Sequence, residues 1–203
     1  MPDRPFEDLN PHGRRRFFAA GFGRLLRPLA DYLESRLPIP LPVVRDFLRP
    51  PGARPEKDFL NTCFRCGACA DACPAKCISL MTSDDDQLRG TPVIDPDLAA
   101  CVVCDELACM NVCPSGALQI VDRFAIRMGL ARVNERVCVR SRGEDCRICV
   151  EKCPLGESAI RLAPDGRIEV LDPDTHSGLG CVGCGVCQFY CPTTPKAIVV
   201  APN

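Results

Sequence analysis

The chain has 203 residues, room for one or two small domains, and a formal net charge of −1 that leaves no basic field for nucleic acid. Tryptophan is absent and aromatics make up 5%, so aromatic packing is not the main source of cohesion, whereas cysteine reaches 17. No uninterrupted apolar run approaches the length needed to cross a bilayer.

Residues 1–36 form a first segment. Residues 1–13 are polar, contain Pro and Gly, and read as a loose start. From Arg14 the spacing predicts a helix to about Arg36, with Phe18, Phe22, Leu25, Leu29 and Tyr32 or Leu33 on one face. Arg14, Arg15, Arg16, Arg24 and Arg27 give its beginning positive charge, and Pro28 kinks it or opens its second half. Three readings fit. Arg14-Arg15-Arg16-Phe17-Phe18, an Arg-Arg-x-Phe-Phe run, looks like a twin-arginine export signal, but Arg24, Arg27 and Asp31 break the apolar core and no clean Ala-x-Ala follows. A basic amphipathic helix lying on a membrane or a partner is the second, and a helix packed on its own protein the third. The broken core favours a docking helix on a chain kept in the cytoplasm and associated with a membrane through residues 14–36. Export to the periplasm by a degenerate signal is the alternative.

Residues 37–58 carry Pro38, Pro40, Pro42, Pro50, Pro51 and Pro55. Alternating proline excludes helix and central strand and predicts an extended strap, and the apolar residues between the prolines lay it across the body rather than leave it a linker.

From about Phe59 four cysteine groups follow in residues 59–203. The first is Cys63, Cys66, Cys69 and Cys73, three cysteines two residues apart, then one after three more, then Pro74. This is the bacterial ferredoxin run for a [4Fe–4S] cluster, whose fourth cysteine ligates the other cluster in two-cluster ferredoxins. Pro74 predicts a helix opening at the fourth cysteine. Cys181, Cys184, Cys187 and Cys191 repeat the spacing unchanged. Cys101, Cys104, Cys109 and Cys113 widen the second gap to four residues; Cys138, Cys146, Cys149 and Cys153 widen the first to seven. Every group ends in Cys-Pro. Structural zinc normally draws one Cys pair from each of two separate knuckles, which is not this pattern. Cysteines two residues apart on a tight turn are poorly placed for disulfides with one another. Sixteen of the 17 cysteines are thereby assigned to four cubanes.

The repeat extends beyond the cysteines. After each Cys-Pro comes a small residue and aliphatics, at Cys77-Ile78, Ala117-Leu118, Ala159-Ile160 and Ala197-Ile198. Short strands precede the later groups at Pro92–Asp95, Leu130–Val133 and Ile168–Leu171, and Pro164-Asp165-Gly166 reads as a hairpin turn. Each unit is strand, cluster loop, short helix, strand, so the fold class is α+β with tandem or nested ferredoxin-like units. Cys77 occupies an alanine slot and reads as a small buried residue; a fifth-ligand or redox role is the minority reading. Gly67, Gly183 and Gly185 let the chain pass close to the sulfurs, with neighbouring amides as donors. His12 and His176 carry no catalytic role, and Asp84, Asp85, Asp86, Asp105 and Glu106 read as solvated. There is no phosphate loop, dinucleotide fingerprint or nucleophile–base pair.

The order and spacing of the four groups, with the four-residue gap of Cys104–Cys109 and the seven-residue gap of Cys138–Cys146, resemble the NapG/MauM ferredoxin-type proteins. Gly129-Leu130-Ala131 and Cys113-Pro114-Ser115-Gly116-Ala117 belong to the same match, which covers roughly residues 59–203. The resemblance implies four [4Fe–4S] clusters relaying electrons between a membrane quinol-oxidising protein and a reductase or cytochrome. It also implies one ferredoxin unit inserted in another, an inner unit of about 92–162 within an outer remainder. Cys63, Cys66 and Cys69 then share a cluster with Cys191, and Cys181, Cys184 and Cys187 with Cys73. Cys101, Cys104 and Cys109 go with Cys153, and Cys138, Cys146 and Cys149 with Cys113. Spacing alone leaves the sequential pairing, first group with second and third with fourth, equally open. The function read from this pattern is electron transfer without catalysis. A maturation factor for a redox enzyme and a purely structural Fe–S scaffold are the alternatives.

Overall fold

The computed structural model describes residues 47–203. The helix expected within residues 14–36 and the proline-rich residues 37–46 lie outside them. Among the described residues no helix is long and apolar enough to cross a membrane.

Two halves follow one another along the chain, and each repeats one pattern of strand pairing. In the second half β3 (Gly129–Val133) pairs antiparallel with β6 (Ile198–Pro202), and β4 (Ile160–Leu162) with β5 (Ile168–Val170). The first half has the same plan in reduced form. There β1 (Ser79–Leu80) pairs with β2 (Pro92–Val93), and a single bridge, Ala53 to Leu118, replaces the long outer ribbon. Strands this short are marginal alone. Their register is held by what lies between them, the cysteine loops and four helices of one turn or slightly more.

Those helices are α2 (Ala68–Ala72), α3 (Ala108–Asn111), α4 (Ile148–Glu151) and α5 (Val186–Phe189), preceded by the longer α1 (Glu56–Thr62). In each half the two cysteine helices pack on each other, α2 on α3 and α4 on α5. The third cysteine of each group sits within its helix, and the fourth lies just past its end. This corrects the expectation that Cys-Pro opens a helix. Proline disfavours the α region for the residue before it, so Cys73 is extended at φ −69° and ψ 115° and terminates α2.

The strap residues described here lie against the body. Leu48 exchanges backbone hydrogen bonds with Ile94 at 2.8 Å each way, and Pro50 and Pro51 are fully buried. Arg49, 6% exposed, makes two hydrogen bonds to the Glu56 carboxylate, at 2.6 and 3.0 Å, and donates to Thr91 Oγ1 and the Pro92 carbonyl. Its guanidinium also stacks 4.7 Å from the Phe59 ring centre. One side chain thus joins strap, α1 and β2.

The halves meet through their central loops. Cys101 N–H donates to the Cys184 carbonyl at 3.0 Å, and buried Gln188 donates to Asp97 and accepts from Val200 N–H. Gly183, at φ +75°, runs so close to Gly129 that any Cβ would overlap its backbone, a contact only glycine permits.

Candidate metal centres

The loop geometry aims main-chain N–H groups at sulfur. In the first two groups the residue two beyond the first cysteine is left-handed, Arg65 at φ 55° and Val103 at φ 48°. That turn lets Arg65 N–H donate to Cys63 Sγ and Val103 N–H to Cys101 Sγ, both at 3.4 Å. A β-branched residue is strained in this region, and such strain gathers at functional sites. Gly67 and Gly185, also left-handed, open α2 and α5.

Packing α2 on α3 and α4 on α5 brings the sixteen cysteines into four sets. Cys73, Cys101, Cys104 and Cys109 line one apolar cavity, the inner set of the first half. Cys153, Cys181, Cys184 and Cys187 line its counterpart in the second half. Cys138, Cys146, Cys149 and Cys191 line the outer cavity of the second half. In the first half Cys69 stands within electrostatic reach of Cys63 and Cys113, with Cys66 exposed on the same loop. The nested assignment is therefore corrected: Cys191 lies with Cys138, Cys146 and Cys149, not with Cys63, Cys66 and Cys69, and Cys153 lies with Cys181, Cys184 and Cys187. The physical reason is local. Each fourth cysteine ends a helix that packs on the helix of the adjacent group in the same half, so the strands at 92–93 and 160–162 close separate halves rather than an inner unit.

The sets adjoin one another in turn. Cys109 reaches Cys69, Cys184 reaches Cys101 and Cys187 reaches Cys149 electrostatically, so the order is outer, inner, inner, outer. Their surroundings differ. Burial pushes Cys69 and Cys149 up to about 11 and Cys109 to about 12, and it pushes Cys184 and Cys187 still higher. Burial acts upward on Cys113 and Cys191 too, but hydrogen bonds outweigh it and hold both below the ordinary thiol value. Leu118 N–H donates to Cys113 Sγ at 3.4 Å, with the Ser115 hydroxyl 3.6 Å away. The Thr193 hydroxyl lies 3.3 Å from Cys191 Sγ. Both hydroxyls belong to outer sets; Ala75 and Leu155 hold the equivalent place after the inner fourth cysteines. Sequence reasoning looked to glycine amides and missed these two, whose signal is Ser or Thr directly after Cys-Pro.

Cys77 is buried in the alanine slot and also touches the site, its Sγ 3.6 Å from Cys73 Sγ. His176 is exposed in a turn, its Nδ1 2.9 Å from the Asp172 carbonyl. Asp105 is exposed and pairs with Arg123.

A family model described as a 4Fe-4S dicluster domain matches residues 62–117. That contiguous stretch holds Cys63 to Cys113, the two sets of the first half and nothing of the second. The methylamine utilization ferredoxin-type protein MauM of Paracoccus denitrificans is 42% identical over 169 residues, covering 80% of this chain and 74% of the relative. The chain belongs to the MauM/NapG family of ferredoxin-type proteins. The ferredoxin-type protein NapG of Escherichia coli K12 is 37% identical over 163 residues, 76% of this chain and 70% of its own. NapG of Haemophilus influenzae is 32% identical over 212 residues, 96% of this chain and 73% of its own.

The donor chemistry of this MauM/NapG chain suits [4Fe–4S] clusters. Four thiols face two of the three cavities and five, with Cys77, face the third, and the rest of each lining is almost wholly apolar. Among the described residues no three His, Cys, Asp or Glu side chains form a site for a single metal ion. Four thiolates round one zinc would converge to about 3.8 Å from each other, given a Zn–S bond of about 2.3 Å; a four-iron cubane needs a wider frame. The Thr193 contact carries a prediction. Thr193→Val keeps the shape and removes the donor to Cys191, and hydrogen bonds to sulfur stabilise the reduced, more negative state. One midpoint in a redox titration is expected to fall by tens of millivolts, about 59 mV for each tenfold change in the one-electron equilibrium.

Proposed function

We propose that the chain binds four [4Fe–4S] clusters, one per thiol set, and passes single electrons from each to the next between two protein partners. The observation that carries this reading is the order of the sets, joined at the centre by the Cys101 N–H to Cys184 carbonyl bond. When bound, each cluster supplies a reversible one-electron centre whose potential the protein sets through hydrogen bonds and exposure. The chain's part is to hold sixteen sulfurs, exclude water from the inner pair and leave the outer pair near the surface. At one end Cys66 is exposed beside Phe64, which is 70% exposed. At the other, Cys146 borders an open groove with Arg136, Arg142, Arg147, Glu144 and Asp145.

These ends are the ports for a membrane-linked donor and a redox-enzyme acceptor, with residues 14–36 as the membrane-side contact. The helical spacing of apolar residues and the arginines in that stretch of sequence support that placement. The names of the relatives, ferredoxin-type throughout and in MauM tied to methylamine utilization, support a carrier rather than a catalyst. An EPR-monitored redox titration of the anaerobic protein tests the reading. All clusters are expected to reduce and reoxidise reversibly; clusters that never cycle would mark them as structural only.

A further inference from the structure

Cys77 is the cysteine left over from the four quartets, and the fold sets it against one of their members. Its side chain is 5% exposed, and its Sγ lies 3.6 Å from Cys73 Sγ. It also lines the cavity shared by Cys73, Cys101, Cys104 and Cys109. Packing does not require sulfur here. Ala117, Ala159 and Ala197 fill the same slot in the other three units, each at most 3% exposed.

The inner set of the first half thus has a thiol beside its ligand sulfurs where its counterpart in the second half has the methyl of Ala159. The quartet already supplies four ligands, so a fifth sulfur has no iron to take without displacing one of them. A thiol that ligates no iron keeps its S–H, and the short contact places that S–H beside the Cys73 sulfur. A thiol is a weak donor, but its neighbours here are thiolate ligands that become more negative on reduction, and a bond to an ionised acceptor is the stronger kind.

We propose that Cys77 is a tuning residue that donates its S–H to the ligand sulfur of Cys73 and raises the reduction potential of the inner cluster of the first half. The inference rests on the four-cluster reading. It makes the two inner centres unequal in donors, and the S–H favours electron uptake at the one in the first half.

The test uses the full chain, isolated anaerobically, as wild type, Cys77→Ala and Cys77→Ser, each read for iron content and by EPR-monitored redox titration. Cys77→Ala is expected to keep the wild-type iron and to shift one reduction equilibrium three- to tenfold toward the oxidised form. That is a fall of about 30–60 mV for a one-electron couple. The signal that moves is the one missing from a Cys104→Ala variant, and Cys77→Ser, with a hydroxyl donor, recovers part of the shift. Unmoved midpoints at full iron content overturn the proposal. Loss of about four irons in Cys77→Ala, the content of one cubane, overturns it too, because Cys77 would then be a ligand. A wild-type chain with far fewer than about sixteen irons overturns the four-cluster reading, and this inference with it.

Discussion

Cys149→Ala and Cys191→Ala are expected to lose the same iron–sulfur signal, and the double variant to lose no more than either alone. The two residues come from the third and fourth groups, 42 positions apart, yet they line one cavity with Cys138 and Cys146. Removing a second ligand from a centre already lost adds nothing, whereas ligands of different centres add. Cys69→Ala with Cys191→Ala should therefore lose two signals and about eight irons, four per cubane. A nested fold reverses both results: the first pair would cost two signals and the second only one. Iron content and EPR of the four proteins read this directly.

Arg49→Ala is expected to be the most damaging substitution outside the cysteines. Arg49 is 6% exposed and its guanidinium meets the Glu56 carboxylate, Thr91 Oγ1 and the Pro92 carbonyl, with the Phe59 ring beneath. Truncation leaves the carboxylate and two further acceptors without this donor. Breaking a fully buried pair from one side costs about 3–5 kcal/mol, an upper bound here because the Glu56 side chain keeps 17% of its surface. Arg49→Lys recovers little, because an ammonium cannot present the same paired donors. Replacing both partners, Arg49→Met with Glu56→Leu, should recover part of the loss, since the carboxylate that met the guanidinium is removed with it. Anaerobic denaturation midpoints measure the series. A midpoint unchanged by Arg49→Ala would show that the strap contributes nothing to holding the first half together.

What could be read from the sequence was local. The Cys-x-x-Cys spacings and the Cys-Pro endings located every thiol loop. Alternation placed strands within a residue or two of β2, β3 and β5, and Pro164-Asp165-Gly166 does turn β4 into β5, with Gly166 at φ 82°. The expectation of a helix opening at Cys-Pro failed at Cys73, where the restriction proline places on its predecessor outweighs the preference of proline for a first helical turn. The pairing of the cysteine sets lay beyond the sequence, because nested and sequential arrangements put the same residues at the same spacings. It follows from which helices pack, α2 on α3 and α4 on α5. Arg49 was hidden for a similar reason: its partners Thr91 and Pro92 are more than forty residues away. Ser115 and Thr193 were visible as residues but not as donors, since their role appears only where the chain turns back on Cys113 and Cys191.

The central claim is that sixteen cysteines in four sets carry four cubanes. Iron and acid-labile sulfide, counted against protein in anaerobically isolated material, test it most directly. About sixteen of each per chain is the predicted result, four for every cubane. A count near eight, or zinc in place of iron, would contradict it.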